Sequence, residues 1–295
     1  MKKYLFMILL SLYTANTFAG PSGYIGTYDN RRYASLSDPE YRGIVRIMRS
    51  NNSLCTGIFI SKNLILTNSH CATACLSSCN AEFSDGTDYK TSNIKTVLYS
   101  DKANIYNGDD WGLLSSDQES KVYRNISQTT TKGPILRGGY GIMRVIENDE
   151  IPFLRELYNQ TKEEHREACQ KRYKDPISFL GCINAHLEDK LKQMGKKPLF
   201  QDQNNFKVQE CNILGDHSKS NKNVITDCDS SGGDSGAPFL RNDQIVGLNL
   251  GGEQTLFGNT KENAFGLKTE NFYLPVQAYV IGHPDLPVIN RSNNK

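Results

Sequence analysis

The residues best suited to chemistry lie in Asp227-Cys-Asp-Ser-Ser-Gly-Gly-Asp-Ser-Gly-Ala-Pro-Phe239. Ser235 sits among small residues, with Asp234 before it and Gly233 and Gly236 on either side of the pair. Glycines let a backbone turn sharply and bring its N–H groups close to a ligand. The N–H groups of Gly233 and Ser235 could converge on one point and stabilise the oxyanion formed when Ser235 attacks a carbonyl. A serine hydroxyl is a weak nucleophile, so this chemistry also needs a histidine base and a carboxylate to orient it. The alternative reading of the segment is a Gly/Ser-rich surface turn.

A base is available. Cys55–Ile60 and Asn63–Thr67 read as two apolar strands of a hairpin, joined at Ser61-Lys62, and the second delivers Asn68-Ser69-His70-Cys71 to its end. Cys55 and Cys71 flank that hairpin and are placed to staple it. A structural histidine is the competing assignment for His70. Leu66-Thr-Asn-Ser-His-Cys71 resembles the Leu-Thr-Ala-Ala-His-Cys signature of the trypsin-like (chymotrypsin-fold) serine peptidases. Gly233-Asp-Ser-Gly-Ala-Pro238 resembles the nucleophile signature of the same family, and the order, His first and Ser last, is the family's. The resemblance implies a third member between them. Asp109-Asp110-Trp111-Gly112-Leu113-Leu114 fits the family pattern in a register that makes Asp110 the orienting acid. An ordinary acidic turn is the alternative there.

The elements that must position these residues are β-rich. Gly43–Met48 alternates as a half-buried strand does, and short strands are expected near Ala81–Phe83 and Ile94–Tyr99. Residues 20–42 read as an extended arm, and residues 115–132 as a β-poor crossing between domains. Leu136–Val145, Phe206–Leu214, Ala237–Leu240 and Gln244–Leu250 read as strands of a second domain, the last two forming a hairpin around Arg241-Asn242-Asp243. Tyr273–Ile281 is amphipathic and forms a final strand or short helix; the family ends in a helix. Residues 147–200 break the pattern. Ile151–Leu157, Thr161–Tyr173 and Ile177–Met194 have helical spacing, with Pro176 between the last two. They read as a helical insertion with no counterpart in the simplest family members, serving either as a solvated decoration or as a cap or partner site at the cleft rim. The resemblance implies an all-β fold of two six-stranded antiparallel barrels: residues 20–130 carry His70 and Asp110, and residues 131–295 carry Ser235, with the insertion at about 147–200 in the second barrel.

Residues 1–19 have the form of a secretory signal, with Lys2 and Lys3, an apolar run Leu5–Leu12 and a small-residue end at Ala19. The mature chain is expected to be secreted or periplasmic, monomeric and without membrane contact. A net charge of +2 with dispersed basic residues leaves no nucleic-acid footprint. Eight cysteines in an exported chain predict four disulfides. Beside Cys55–Cys71 these are Cys75–Cys79, closing a small loop, and Cys169–Cys182, joining two helices. Cys211–Cys228 is similar to a pairing in exported bacterial members. A zinc site on His70, Cys71, Cys75 and Cys79 is the competing assignment for the first cluster. No metal or other cofactor is required.

Asp229 lies at the offset before Ser235 at which trypsin-like members keep a pocket-base acid for Lys or Arg of the substrate. Asn249, Gly251 and Gly252 fall where the family lines and opens that pocket. The family often frees an Ile or Val amine that pairs with the Asp before the nucleophile, here Asp234, and Ile25 is positioned to be that terminus. The implied function is a secreted serine endopeptidase acting on peptides or proteins, with a possible Lys/Arg preference. A binding or adhesion protein on the same fold, using the helical insertion, is the rival.

Overall fold

The computed structural model describes residues 30–49, 54–85, 87–100, 107–147, 149–174, 176–200, 202, 204–252 and 264–282. The signal segment, the terminus expected at Ile25 and the tail from Pro287 lie outside the described residues.

A short arm strand, β1 (Arg32–Tyr33), precedes the first barrel. Its strands are β2 (Ile44–Met48), β3 (Leu54–Phe59), β4 (Leu64–Thr67), β5 (Cys79–Ser84), β6 (Tyr89–Tyr99) and β7 (Gly112–Ser116), closed in the order β2-β3-β4-β7-β6-β5. Strand β6 shows the period of two that a barrel wall demands: Ser92, Ile94 and Thr96 are buried, whereas Thr91, Asn93 and Lys95 are exposed. Strand β3 is buried along its whole length, because one face packs the barrel core and the other meets the second barrel.

The short strand β8 (Asn125–Ile126) lies in the crossing expected to be β-poor; it pairs in parallel with a strand of the second barrel. That barrel consists of β9 (Gly133–Gly139), β10 (Lys207–His217), β11 (Ser220–Thr226), β12 (Pro238–Arg241), β13 (Gln244–Gly252) and β14 (Ala264–Lys268). The pairs β9–β10, β10–β11, β11–β14, β14–β13, β13–β12 and β12–β9 close it. The fold is therefore two closed six-stranded antiparallel barrels, with the arm strand β1 added to β10. Between β12 and β13, Asn242 and Asp243 both have positive φ, 49° and 63°, the backbone that a two-residue hairpin turn with the natural strand twist requires.

Three expectations need correction. His70 does not end a strand: β4 stops at Thr67, and His70 lies in one helical turn, α1 (Ser69–Ala72). The strand expected to Val145 ends at Gly139, where the chain leaves the sheet for the insertion. The insertion has two helices rather than three, α2 (Ile151–Arg172) and α3 (Pro176–Gln193). Buried Leu157, Tyr158 and Thr161 carry the apolar stripe of α2 across the gap that the sequence suggested. The chain closes with α4 (Tyr273–Gly282).

The insertion has its own core. Leu154, Leu157 and Tyr158 of α2 meet Ile183, Leu187 and Leu191 of α3, and Met143, Ile146 and Leu199 close its base. Arg144 grips Glu150 through both guanidinium nitrogens, at 2.6 and 2.9 Å, where the chain enters α2. The four disulfides are Cys55–Cys71, Cys75–Cys79, Cys169–Cys182 and Cys211–Cys228. Cys71, Cys75 and Cys79, the cysteines of the zinc alternative beside His70, are all in disulfides. Among the described residues no helix is long and apolar enough to cross a membrane.

Candidate active site

The two barrels bring the three sequence-predicted segments to one interface. Asp110 is fully buried just before β7. Its Oδ2 lies 2.8 Å from His70 Nδ1, and its Oδ1 accepts the His70 backbone N–H at 3.0 Å. Asn68 Nδ2 donates to the Asp110 carbonyl at 3.0 Å, so the turn carrying the histidine and the loop carrying the acid are locked together. The His70 side chain is 40% exposed while that of Asp110 is 1% exposed. Nδ1 is thus held by a buried carboxylate and fixes the ring orientation, which leaves Nε2 for proton exchange.

The serine loop is pinned from both barrels. From β3, the Thr56 N–H donates to Ser235 O at 2.8 Å, and Thr56 Oγ1 donates to Gly233 O at 2.9 Å. The same hydroxyl accepts the Tyr140 N–H at 3.1 Å. The Ser235 carbonyl also lies 3.9 Å from Cys71 Sγ, next to His70. From β13, Asn249 O accepts the Gly236 N–H at 2.9 Å, and Asn249 Nδ2 donates to Ser230 Oγ and to Asp234 O, both at 3.1 Å. Gly233 has φ +95°, and a Cβ there would stand 2.4 Å from Tyr140 O, so only glycine fits. Within the loop the Asp234 N–H is spent on Ser231 O and the Gly236 N–H on Asn249 O. Among the described residues the N–H groups of Gly233 and Ser235 make no such bond; they are the two that the sequence reading expected to face an oxyanion.

Behind the loop is a buried charge cluster. Asp234 pairs with Arg137 of β9 at 2.6 Å and with Arg31 of the arm at 3.8 Å. All three are at most 3% exposed. Burial alone would raise the Asp234 carboxyl; Arg137 and then Arg31 outweigh it, and the net effect is to hold it below the ordinary carboxylate value. Two guanidinium groups therefore pair with the carboxylate that the sequence reading expected to meet a freed amine. Neither arginine was singled out from the sequence, although Arg137 lies inside the Gly-rich strand region that was.

All four expected pocket residues are described. Asp229 is fully buried, and its Oδ2 accepts the Asn30 N–H at 2.8 Å and Gln209 Nε2 at 3.0 Å. Gln209 Oε1 in turn accepts the Asp229 N–H at 2.7 Å, and Arg137 Nη1 donates to the Asp229 carbonyl. Asn249 is fully buried and faces the loop. A Cβ at Gly251 would meet nothing within 4 Å among the described residues. Gly252 ends β13 opposite Ala264.

The trypsin family model matches residues 36–177, a span holding His70 and Asp110 and ending before Ser235. Over that span, just under half of its length, the chain is similar to the trypsin family. Two solved structures share this fold. A Glu endopeptidase is 21% identical, with a TM-score of 0.53 over 85% of this chain and 96% of its own. An inactivated protease paralogue of the scabies mite is 9% identical, with a TM-score of 0.54 over 86% of this chain and 97% of its own. No curated protein matches. The fold of this chain thus occurs in a protein named as an enzyme and in one named as inactivated, and its own residues must carry the functional argument.

Proposed function

We propose that the chain is an exported serine endopeptidase whose nucleophile is Ser235, with His70 as base and Asp110 as orienting acid. The observation that carries this reading is the doubly bonded His70–Asp110 pair, with Nδ1 and the backbone N–H both held by one buried carboxylate. In the proposed reaction His70 Nε2 takes the hydroxyl proton as Ser235 Oγ attacks a peptide carbonyl. The negative charge that develops on that carbonyl oxygen is met by the N–H groups of Gly233 and Ser235. His70 then protonates the leaving amine, and water hydrolyses the acyl-enzyme by the same steps in reverse order.

We also propose that the site is assembled without release of a terminus. The buried carboxylate of Asp234 already has Arg137 and Arg31 as counter-charges, so an amine near Ile25 has no charge left to neutralise. Cleavage after Lys or Arg, suggested by Asp229 in the sequence, has less support than the triad, because that carboxylate already bonds Asn30 and Gln209. Export rests on the 1–19 segment together with the four disulfides.

The test is hydrolysis of a peptide library by the purified chain and by Ser235→Ala, alongside labelling with an active-site serine probe. Cleavage and labelling that both vanish in the variant are expected. Labelling of neither protein would favour the binding-protein alternative. Activity that appears only after proteolytic trimming would overturn the assembled-site reading while leaving the triad intact. Consistent cleavage after Lys or Arg, lost in Asp229→Asn, would restore the pocket role of Asp229.

A further inference from the structure

Of the eight half-cystines, seven are buried; Cys182, on α3, is only partly so. A sulfur open to solvent is what a thiolate needs to attack, and exposed disulfides are the ones that exchange. The Cys169–Cys182 bond is thus the most accessible of the four. Its neighbours are unusual. Residues His165 and Cys169 stand four apart on α2, and Cys182 and His186 four apart on α3, so each helix presents one imidazole and one sulfur on one face. The sulfurs of Cys169 and Cys182 and a ring nitrogen of His186 lie within 4.8 Å of one another. The His165 ring stacks on that of His186, with centroids 3.7 Å apart and planes inclined by 8°. Nothing in the hydrolytic chemistry uses these four residues. They lie toward the far end of the hairpin, about 27 Å along α2 from Ile151 at a rise of about 1.5 Å per residue.

We propose that the helical hairpin is an alternative disulfide or metal site: when Cys169–Cys182 is reduced, His165, Cys169, Cys182 and His186 bind one soft or borderline divalent cation such as Zn2+. A tetrahedral zinc with bonds of about 2.3 Å to sulfur and about 2.0 Å to nitrogen has its ligand atoms roughly 3.5 Å apart. The two sulfurs, 2.07 Å apart in the disulfide, would separate to that spacing on reduction, the His186 nitrogen already lies within 4.8 Å of both, and the His165 ring stacked on His186 would turn to supply the fourth ligand. The two occupants exclude each other. A dithiol reductant passes two electrons to the disulfide as it closes to its own disulfide, and its two protons go to the sulfurs of Cys169 and Cys182. Metal binding then displaces those two protons and leaves the sulfurs as thiolates. The thiolate-containing donor set selects zinc-like ions over magnesium or calcium. Bound metal holds α2 against α3 as the disulfide did, so the insertion stays rigid in either redox state.

The test uses the full mature chain. Graded treatment with a dithiol, followed by alkylation and peptide mapping, is expected to label Cys169 and Cys182 before any other cysteine. The selectively reduced chain is then titrated with Co2+, with Zn2+ as competitor. The expected result is one equivalent of Co2+ bound with thiolate-to-cobalt charge-transfer absorption, displaced by Zn2+, and protection of both thiols from alkylation. The variant with His165→Ala and His186→Ala forms the same disulfide when oxidised. When reduced it is expected to bind at least about tenfold more weakly, since even outer-shell partners contribute about 10–100-fold. If reduction melts the hairpin, zinc-dependent recovery of its helicity reads the same site. Earlier labelling of another disulfide overturns the proposal. So does binding without the thiolate band, binding indifferent to the histidine substitutions, or helicity that zinc does not restore.

Discussion

The serine loop and the helical hairpin are both rigid segments outside the regular sheet, and they are held in opposite ways. The loop is tied by polar groups from three directions: Thr56 from the first barrel, Asn249 from β13, and the Arg137 and Arg31 guanidinium groups on Asp234. The hairpin is tied by a continuous apolar core of its own and one covalent bond between its helices. Apolar packing is non-directional and tolerates small shifts, whereas a hydrogen bond or buried ion pair fails when its geometry slips. The molecule uses directional contacts at the loop, where the proposed function needs two N–H groups to point at one place, and apolar packing with a staple where two helices need only stay together.

The largest effects should come from the chemistry itself, leaving both modes of support intact. Ser235→Ala is expected to lower kcat by on the order of 10^6-fold, and Asp110→Asn by about 10^4-fold, with thermal melting almost unchanged. Next is the buried charge. Arg137→Met leaves the Asp234 carboxylate with Arg31 alone, and breaking a buried pair from one side costs about 3–5 kcal/mol. Melting temperature and activity should fall together. The native state holds Asp234 below its ordinary value, so the wild-type pair contributes stability in full above the unfolded-chain value near ~4, and loses it as pH falls through the lower folded value. The variant should lack that part of the acid dependence when unfolding is followed against pH.

The hairpin should respond otherwise. Replacing both Cys169 and Cys182 by Ala removes a staple worth about 3 kcal/mol in the chain-entropy view. Amide exchange in α2 and α3 should accelerate while peptide hydrolysis stays as it was. Equal loss of activity would mean that the insertion braces the cleft, and the contrast between the two regions would collapse.

These differences in support explain what was legible in the sequence. Ser235, His70 and the acid before Trp111 stand in short contiguous signatures, whereas the cysteine pairs, up to 17 residues apart, were read from their placement on neighbouring elements and from the family resemblance. The barrels were legible through strands with apolar alternation, but β11 was not: Ser220–Thr226 begins with polar residues and is defined by its neighbours β10 and β14 rather than by its own pattern. β14 was missed too, as Ala264–Lys268 is too short to declare a period. The partners of Asp234 were illegible because Arg31 and Arg137 are distant in sequence from it and from each other, and only the closure of β9 against β12 brings Arg137 beneath the loop. Asp229 illustrates the converse. Its offset from the serine matches a pocket acid, and the bonds that its Oδ2 accepts from Asn30 and Gln209, both remote in sequence, could not be read from that offset.

A pair of matched substitutions gives the smallest effect and the sharpest comparison. Thr56 and Thr161 are both fully buried, one beneath the serine loop and one within the hairpin core. Thr56 Oγ1 joins Gly233 O to the Tyr140 N–H, so Thr56→Val leaves a buried acceptor and a buried donor without that partner, at a cost of about 1–3 kcal/mol. Thr161 Oγ1 donates to Leu157 O one turn earlier in its own helix, at 2.7 Å. That carbonyl keeps its place in the helical ladder when the hydroxyl goes, so Thr161→Val should cost under about 1 kcal/mol. Kinetics should separate the two further. In Thr56→Val the Gly233 peptide loses its anchor, so kcat should fall more than KM rises, as expected when an interaction with the developing oxyanion is weakened. Thr161→Val should move neither. A drop in kcat from both would show that the hairpin core transmits strain to the loop; a drop from neither would show that the Thr56 N–H bond to Ser235 O suffices to hold it.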